Sequence, residues 1–198
     1  MPNWCYSEYA FTGPKIALED LHEKINRYTS KPRYDGSEVK HYCFGRFWLS
    51  NIVGGFGLDP EQERCRGEVF DINLTDEALF VSTETAWSPM PTMWENILEK
   101  HYADDNGVPY VSFVFAAEEP GMCIYVNTDT EHWFFREKYL LSDNNKIQEY
   151  VNADEVAEIC DWLRVTYHLE GENLEELVTA YNAKGPKDHL FLHEFISE

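Results

Sequence analysis

The sequence predicts an α+β fold, an antiparallel sheet with two helices on one face followed by a C-terminal α+β extension. Three observations carry that expectation. The apolar run Ala78-Leu-Phe-Val81 leads into Thr83-Glu-Thr-Ala-Trp-Ser-Pro-Met-Pro-Thr-Met-Trp94. A helical pattern of Trp94, Ile97, Leu98 and Tyr102 follows at once. A second dense apolar run, Tyr110-Val-Ser-Phe-Val-Phe115, comes directly after it. Strand, helix and strand in so few residues is the unit from which layered α/β structures are built.

The other elements follow in order. Alternation over Tyr6–Phe11 predicts a first strand, broken by Thr12-Gly-Pro14. Pro14 suits a first helical turn, and Leu18, Leu21, Ile25 and Tyr28 then fall on one helical face. Lys31-Pro-Arg-Tyr-Asp-Gly36 ends that helix. Residues 37–66 read as an insertion across an edge of the core, with a short helix over Phe44–Val53 carrying Phe47, Trp48 and Ile52. Gly54-Gly-Phe-Gly57 reads as a loop, because no strand precedes it and no Lys-Ser/Thr follows, as a phosphate cradle requires.

Two strands come next, Glu68–Leu74 and Ala78–Thr85. In the first, Phe70, Ile72 and Leu74 alternate with Val69, Asp71 and Asn73, so their face is expected to be buried. A helix over Pro91–Tyr102 ends at Asp104-Asp-Asn-Gly107, and a strand over Tyr110–Ala117 completes the order βαββαβ. That is the ferredoxin-like order, which makes residues 1–130 the first domain.

Residues 131–198 form the extension, expected to pack on the same core. Met122–Asn127 reads as a further strand, and Trp133–Leu141 with Lys146–Val151 as a hairpin. Asn152-Ala-Asp-Glu155 has the pattern of a capping box, opening a helix with Val156, Ile159, Cys160 and Leu163 inward. A second helix spans Leu174–Ala183, and Leu190–Ile196 closes the extension as a strand.

The chain holds 36 acidic and 16 basic residues, a formal net charge of −20. That field opposes binding to nucleic acid phosphates and to anionic lipid. No run of about 18 apolar residues is present, so no membrane span is expected. With no signal-peptide pattern and an odd, dispersed set of five cysteines, a cytoplasmic protein with reduced thiols is expected. Cys123 and Cys160 read as small core hydrophobes.

Three stretches carry a family resemblance: Met1-Pro-Asn-Trp-Cys5, Glu84-Thr-Ala-Trp-Ser-Pro89 and Glu118-Glu-Pro-Gly121, in that order. Over roughly residues 1–130 the chain resembles the YubB-like family of phage and plasmid proteins, a family of unknown function. The resemblance implies a ferredoxin-like domain and a link to mobile genetic elements, and assigns no catalytic residue. Family members usually carry a Trp-Gly-Thr-Lys-Trp type segment before the second strand, and Asn51–Gly67 contains none.

Two functional readings follow. In the first, the protein is a non-catalytic interaction protein with an acidic surface for a basic partner. Between Glu149 and Glu176 nine acidic residues face Arg164 alone. Asp154, Glu155, Glu158 and Asp161 lie on one predicted helix, and Glu172, Glu175 and Glu176 at the start of the next. A sharper form is a DNA mimic, in which these carboxylate rows imitate phosphates; a solvated helical face is the plainer reading. In the second, an enzyme site lies between the 44–66 insertion and the sheet edge near Trp87. Glu84, in a strand beside Trp87, is its best-placed carboxylate.

Glu118 and Glu119 read as solvated turn residues. The pairs His41/Cys43 and His189/His193 lack further ligands at zinc spacing, so no metal and no other cofactor is expected. Tyr110, Phe113 and Phe115 alternate as core residues rather than as an RNA-binding platform.

Overall fold

In the computed structural model, which describes residues 3–30, 45–144 and 148–197, the chain is α+β. Five α-helices and two antiparallel sheets are formed by the described residues. The chain divides into two compact units, Met1–Ile124 and Tyr125–Glu198, so the division falls a few residues before the expected 130/131. The stop at 31–36, the His41/Cys43 pair, Phe44 and the turn residues 145–147 lie outside the described residues.

The first unit runs β1 (Trp4–Thr12), α1 (Lys15–Ser30), α2 (Leu49–Gly55), β2 (Gly67–Leu74), β3 (Leu79–Ala86), α3 (Pro91–His101) and β4 (Ser112–Glu119). A 3-10 turn, Pro120–Met122, leads to β5 (Ile124–Asn127), of which only Ile124 belongs to the first unit. The strand order is β2-β3-β1-β4-β5, with the further strand expected over Met122–Asn127 observed as β5. Strand β1 is central and antiparallel to both β3 and β4.

Alternation along β1 fixes its two faces. Cys5, Ser7, Tyr9 and Phe11 are buried, whereas Trp4 and Tyr6 are exposed. Tyr9 lies opposite Val81 and Phe115, and Phe11 opposite Leu79 and Phe113. Trp94 of α3 closes this layer, with ring centroids 5.8 Å from Tyr9 and 5.2 Å from Phe11. The Tyr9 hydroxyl accepts a hydrogen bond from the Met90 amide at 3.0 Å, which anchors the residue before α3. Tyr110 is half-exposed, unlike Phe115, because β4 begins only at Ser112.

Helix α1 buries Leu18, Leu21 and Ile25, as its spacing requires. Its Asp20 accepts hydrogen bonds from Lys24 at 2.6 Å and from the Tyr102 hydroxyl at 2.8 Å. Burial pushes the Asp20 carboxyl up, but the bonds from Lys24 and Tyr102 outweigh it and hold it below its ordinary value. A carboxyl depressed in the folded state adds stability above its unfolded pKa and loses it as pH falls through the folded one. Tyr102→Phe is therefore expected to cost about 1 kcal/mol near neutral pH, Asp20 being partly screened by solvent. The gap between the two proteins narrows below pH 4, and thermal melts across pH 2–7 check this. A gap unchanged in acid contradicts the Asp20 assignment.

Two expectations about the insertion and its edge strand are corrected. Helix α2 is shifted to Leu49–Gly55, burying Leu49, Ile52 and Val53 and leaving Phe47 outside it. Gly54 and Gly55 end this helix rather than forming a loop. A side chain at Gly55 would lie 2.4 Å from the Tyr28 ring, so only glycine allows α2 to approach α1 this closely. On β2, Val69 is buried and Phe70 half-exposed, the reverse of the expected pattern. A bulge between Val69 and Asp71 slips the alternation by one residue, so that Ile72 and Leu74 return inward. The insertion does border the sheet edge: Trp48 bridges Glu68, and the Val69 amide donates to the Phe47 carbonyl at 2.9 Å.

The second unit contains β6 (Glu137–Asp143), β7 (Gln148–Asn152), α4 (Val156–Tyr167), α5 (Leu174–Ala183) and β8 (Leu190–Glu194), with strand order β7-β6-β8. Leu141, Val151, Cys160, Leu163, Leu174 and Leu177 belong to its own buried cluster. Strand β6 starts at Glu137 rather than Trp133, because the buried Asp129 carboxylate takes the amides of Phe134 (2.6 Å) and Phe135 (3.1 Å). Those donors are then lost to any ladder. Cys123 is exposed in a left-handed conformation (φ 56°) just before β5, not a core residue, while Cys160 is buried as expected. No helix among the described residues is long and apolar enough to cross a membrane.

Candidate functional site

The three stretches Asn3–Cys5, Glu84–Trp87 and Glu118–Gly121 meet at one end of the first unit's sheet. Trp4 lies opposite Ala86, Cys5 opposite Thr85, and Tyr6 opposite both Glu84 and Glu118. The Trp87 amide donates to the Asn3 carbonyl at 2.9 Å, and Trp87 leaves the strand with φ +77°. Facing residues of adjacent strands share a side of the sheet. The exposed side thus carries one continuous row, Trp48–Glu68–Glu84–Tyr6–Glu118.

Glu8 and Asp71, both opposite Ser82, form the next row. Exposed Trp4 and Phe70 border these carboxylates, with the Phe70 ring 5.4 Å from that of Tyr6. Burial, followed by the charges of Glu8, Asp71 and Glu118, pushes the Tyr6 phenol above its ordinary value. Glu68 and Glu84 face each other directly, an arrangement of like charges that destabilises a sheet.

The opposite side of the same strand ends is polar and buried. Cys5, Ser7, Thr83, Thr85 and Glu119 are all shielded from solvent. This corrects the turn reading of Glu118 and Glu119, since β4 runs through both and Glu119 is only 5% exposed. Glu119 Oε1 accepts from the Gly121 amide at 3.1 Å, whereas its Oε2 and the Thr83 hydroxyl have no hydrogen-bond partner. Burial, with Glu119 and Glu118 adding and Ser7 opposing, pushes the Cys5 thiol up to about 11. At neutral pH it is a protonated thiol and a poor nucleophile.

Beside the exposed row lies a cavity of about 470 Å³, lined by Trp4, Trp48, Ser50, Glu61, Cys65 and Arg66 among others. Here the 45–66 insertion meets the start of β1. Burial and Glu63 push the Cys65 thiol up to about 12, and its sulfur lies 3.6 Å from that of Met93.

The C-terminal carboxylates are arranged differently from the expected partner face. Asp154 pairs with Arg136, and Asp161 with Arg164 at 2.8 Å. Glu155 accepts the Asn152 amide at 3.0 Å, completing half of the predicted capping box. Glu176 accepts the Glu172 amide at 2.7 Å, while its own amide bonds the Asn173 side chain. Arg164 also donates to the carbonyls of Gly171 and Glu172, closing the connection between α4 and α5. Glu158, Glu172 and Glu175 are exposed, and no described cation pairs with them.

Thus four of these seven C-terminal carboxylates, on or just before α4 and α5, hold local structure, and three remain directed to solvent. Glu84 is exposed within the row described above, and Trp87 is half-exposed at its end. His193 stacks on Tyr125 with centroids 4.4 Å apart, and no cluster suited to a metal ion occurs among the described residues.

Sequence reasoning assigned no role to Trp4, Tyr6 and Glu68, read Glu118 as a solvated turn residue, and named Arg66 only as the bound of the insertion. Outward alternation of Tyr6 and Glu8 along β1 was the available signal; the pairing that lines up Glu68, Glu84 and Glu118 had none. Protein-family models, curated proteins and solved structures yield no match to this chain.

Proposed function

We propose that this chain is a non-catalytic interaction protein that binds a basic partner protein through the exposed carboxylates and aromatic rings of its first sheet. The observation that carries the reading is the row Glu68–Glu84–Tyr6–Glu118, in which the like charges of Glu68 and Glu84 face each other directly. A cationic partner relieves that repulsion, and the neighbouring Trp4 and Phe70 supply apolar area and faces for arginine or lysine. This reading puts the partner surface on the sheet rather than around α4 and α5, because Asp154, Glu155, Asp161 and Glu176 are engaged in local structure there.

The order β2-β3-β1-β4 supports reading the first unit as ferredoxin-like, with α1 and α3 on one face and β5 added at the edge. The resemblance to YubB-like phage and plasmid proteins adds a link to mobile genetic elements. A host nucleic-acid-binding protein is the class of basic partner that such a setting suits. Binding is favoured over catalysis because burial keeps both thiols of this region protonated, and no base is bonded to the Ser50 hydroxyl.

Two variants of equal charge change test the reading against a labelled lysine- and arginine-rich peptide. One carries Glu68→Gln, Glu84→Gln and Glu118→Gln; the other carries Glu158→Gln, Glu172→Gln and Glu175→Gln. The sheet variant is expected to lose roughly tenfold in affinity at low salt, about 0.5 kcal/mol per charge, and the helix variant much less. Equal losses in both, or a larger loss in the helix variant, overturn the assignment.

A further inference from the structure

We infer that the cavity beside this row is a binding site for an uncharged planar heterocycle, a nucleobase or its nucleoside. The first argument is shape and surface. The volume of about 470 Å³ lies in the range of small-molecule sites, and two indoles, Trp4 and Trp48, contribute to its wall. Indoles offer flat apolar area on which a heterocycle stacks.

The second argument is an unanswered polar group. Ser50 is 3% exposed, lines the cavity, and its hydroxyl has no hydrogen-bond partner. Buried polar groups in folded proteins are nearly always paired, so an orphan at a cavity wall marks a place for a ligand atom. The third argument is charge. Arg66 and Glu61 both line the cavity, giving donors and acceptors that sum to no net charge.

These features discriminate among ligands. Arg66 disfavours an alkylammonium ion that the indoles alone would accept. A phosphorylated ligand meets Glu61, nearby Glu68 and the field of a chain with net charge −20. A neutral ring with donors and acceptors on its edge meets neither penalty. Cys65, a protonated thiol at neutral pH, adds apolar wall rather than a reactive group.

The test is a fluorescence and calorimetric titration of the full chain with guanosine, adenosine and cytidine, each against its 5′-monophosphate and against tetramethylammonium. At least one nucleoside is expected to bind saturably in the millimolar range or below and to quench indole emission, more tightly than its monophosphate. Ser50→Ala should weaken it roughly tenfold, the loss of one buried hydrogen bond, while melting no lower than the parent because an unpaired hydroxyl has been removed. Glu84→Gln should leave nucleoside binding in place, which separates this site from the partner surface. Absence of saturable nucleoside binding, tighter binding of a monophosphate or of tetramethylammonium, or an unchanged affinity in Ser50→Ala overturns the inference.

Discussion

Trp94→Ala is expected to lower unfolding free energy by about 3–5 kcal/mol, the usual loss for truncating a buried aromatic. Trp94 is fully buried and touches Tyr9 and Phe11, the two rings at the centre of β1. Those rings in turn contact Phe113 and Phe115 on β4. Removing the indole leaves a cavity between α3 and the sheet that rigid ring neighbours cannot collapse to fill. A partial exception is built in: the indole N–H has no partner, so the tryptophan already carries an unmet polar cost. Chemical denaturation compares the variant with Ile16→Ala, whose side chain is 81% exposed and whose loss is expected to stay within about 0.5 kcal/mol. Similar midpoints for the two variants contradict the packing described.

Gly67→Ala is expected to cost about 3 kcal/mol or more, the upper range of overpacking, and to disturb the surface row as well. A methyl at Gly67 would lie 2.2 Å from the Glu84 carbonyl oxygen and 2.8 Å from Thr85 Cα. Both are backbone atoms of β3 and cannot rotate away. Relief requires β2 to separate from β3, which moves Glu68 away from Glu84. The variant should therefore lose stability and, at temperatures where it stays folded, bind basic peptide more weakly. An unchanged melting temperature shows that the β2–β3 register differs from the one given.

Much of the fold was legible because local patterns and tertiary burial agree. The spacing of Leu18, Leu21 and Ile25, and of Trp94, Ile97 and Leu98, gave α1 and α3 directly, and Leu174–Ala183 appears as predicted. Failures cluster where a pairing rather than a pattern decides. The bulge at Phe70 reverses the expected pattern at Val69 and Phe70 alone, and Asp129 removes two amides from the predicted start of β6. Glu119 was read as a turn residue because Pro120-Gly121 follows it, yet β4 continues up to that break.

The candidate surface was less legible. Carboxylates on α4 and α5 stand out as a run in sequence, but Arg136, Arg164 and two helix N-termini engage four of them. Glu68, Glu84 and Glu118 are separated by tens of residues and become neighbours only through strand register. No one-dimensional pattern carries that adjacency.

The most direct measurement is an amide chemical-shift titration of the isotope-labelled chain with a lysine- and arginine-rich peptide. The account predicts saturating shifts centred on Trp4, Tyr6, Glu68, Glu84 and Glu118, weakening as salt rises because the attraction is screened within about 8 Å at physiological ionic strength. Shifts centred instead on Glu158, Glu172 and Glu175, or spread evenly over every exposed carboxylate, would contradict it.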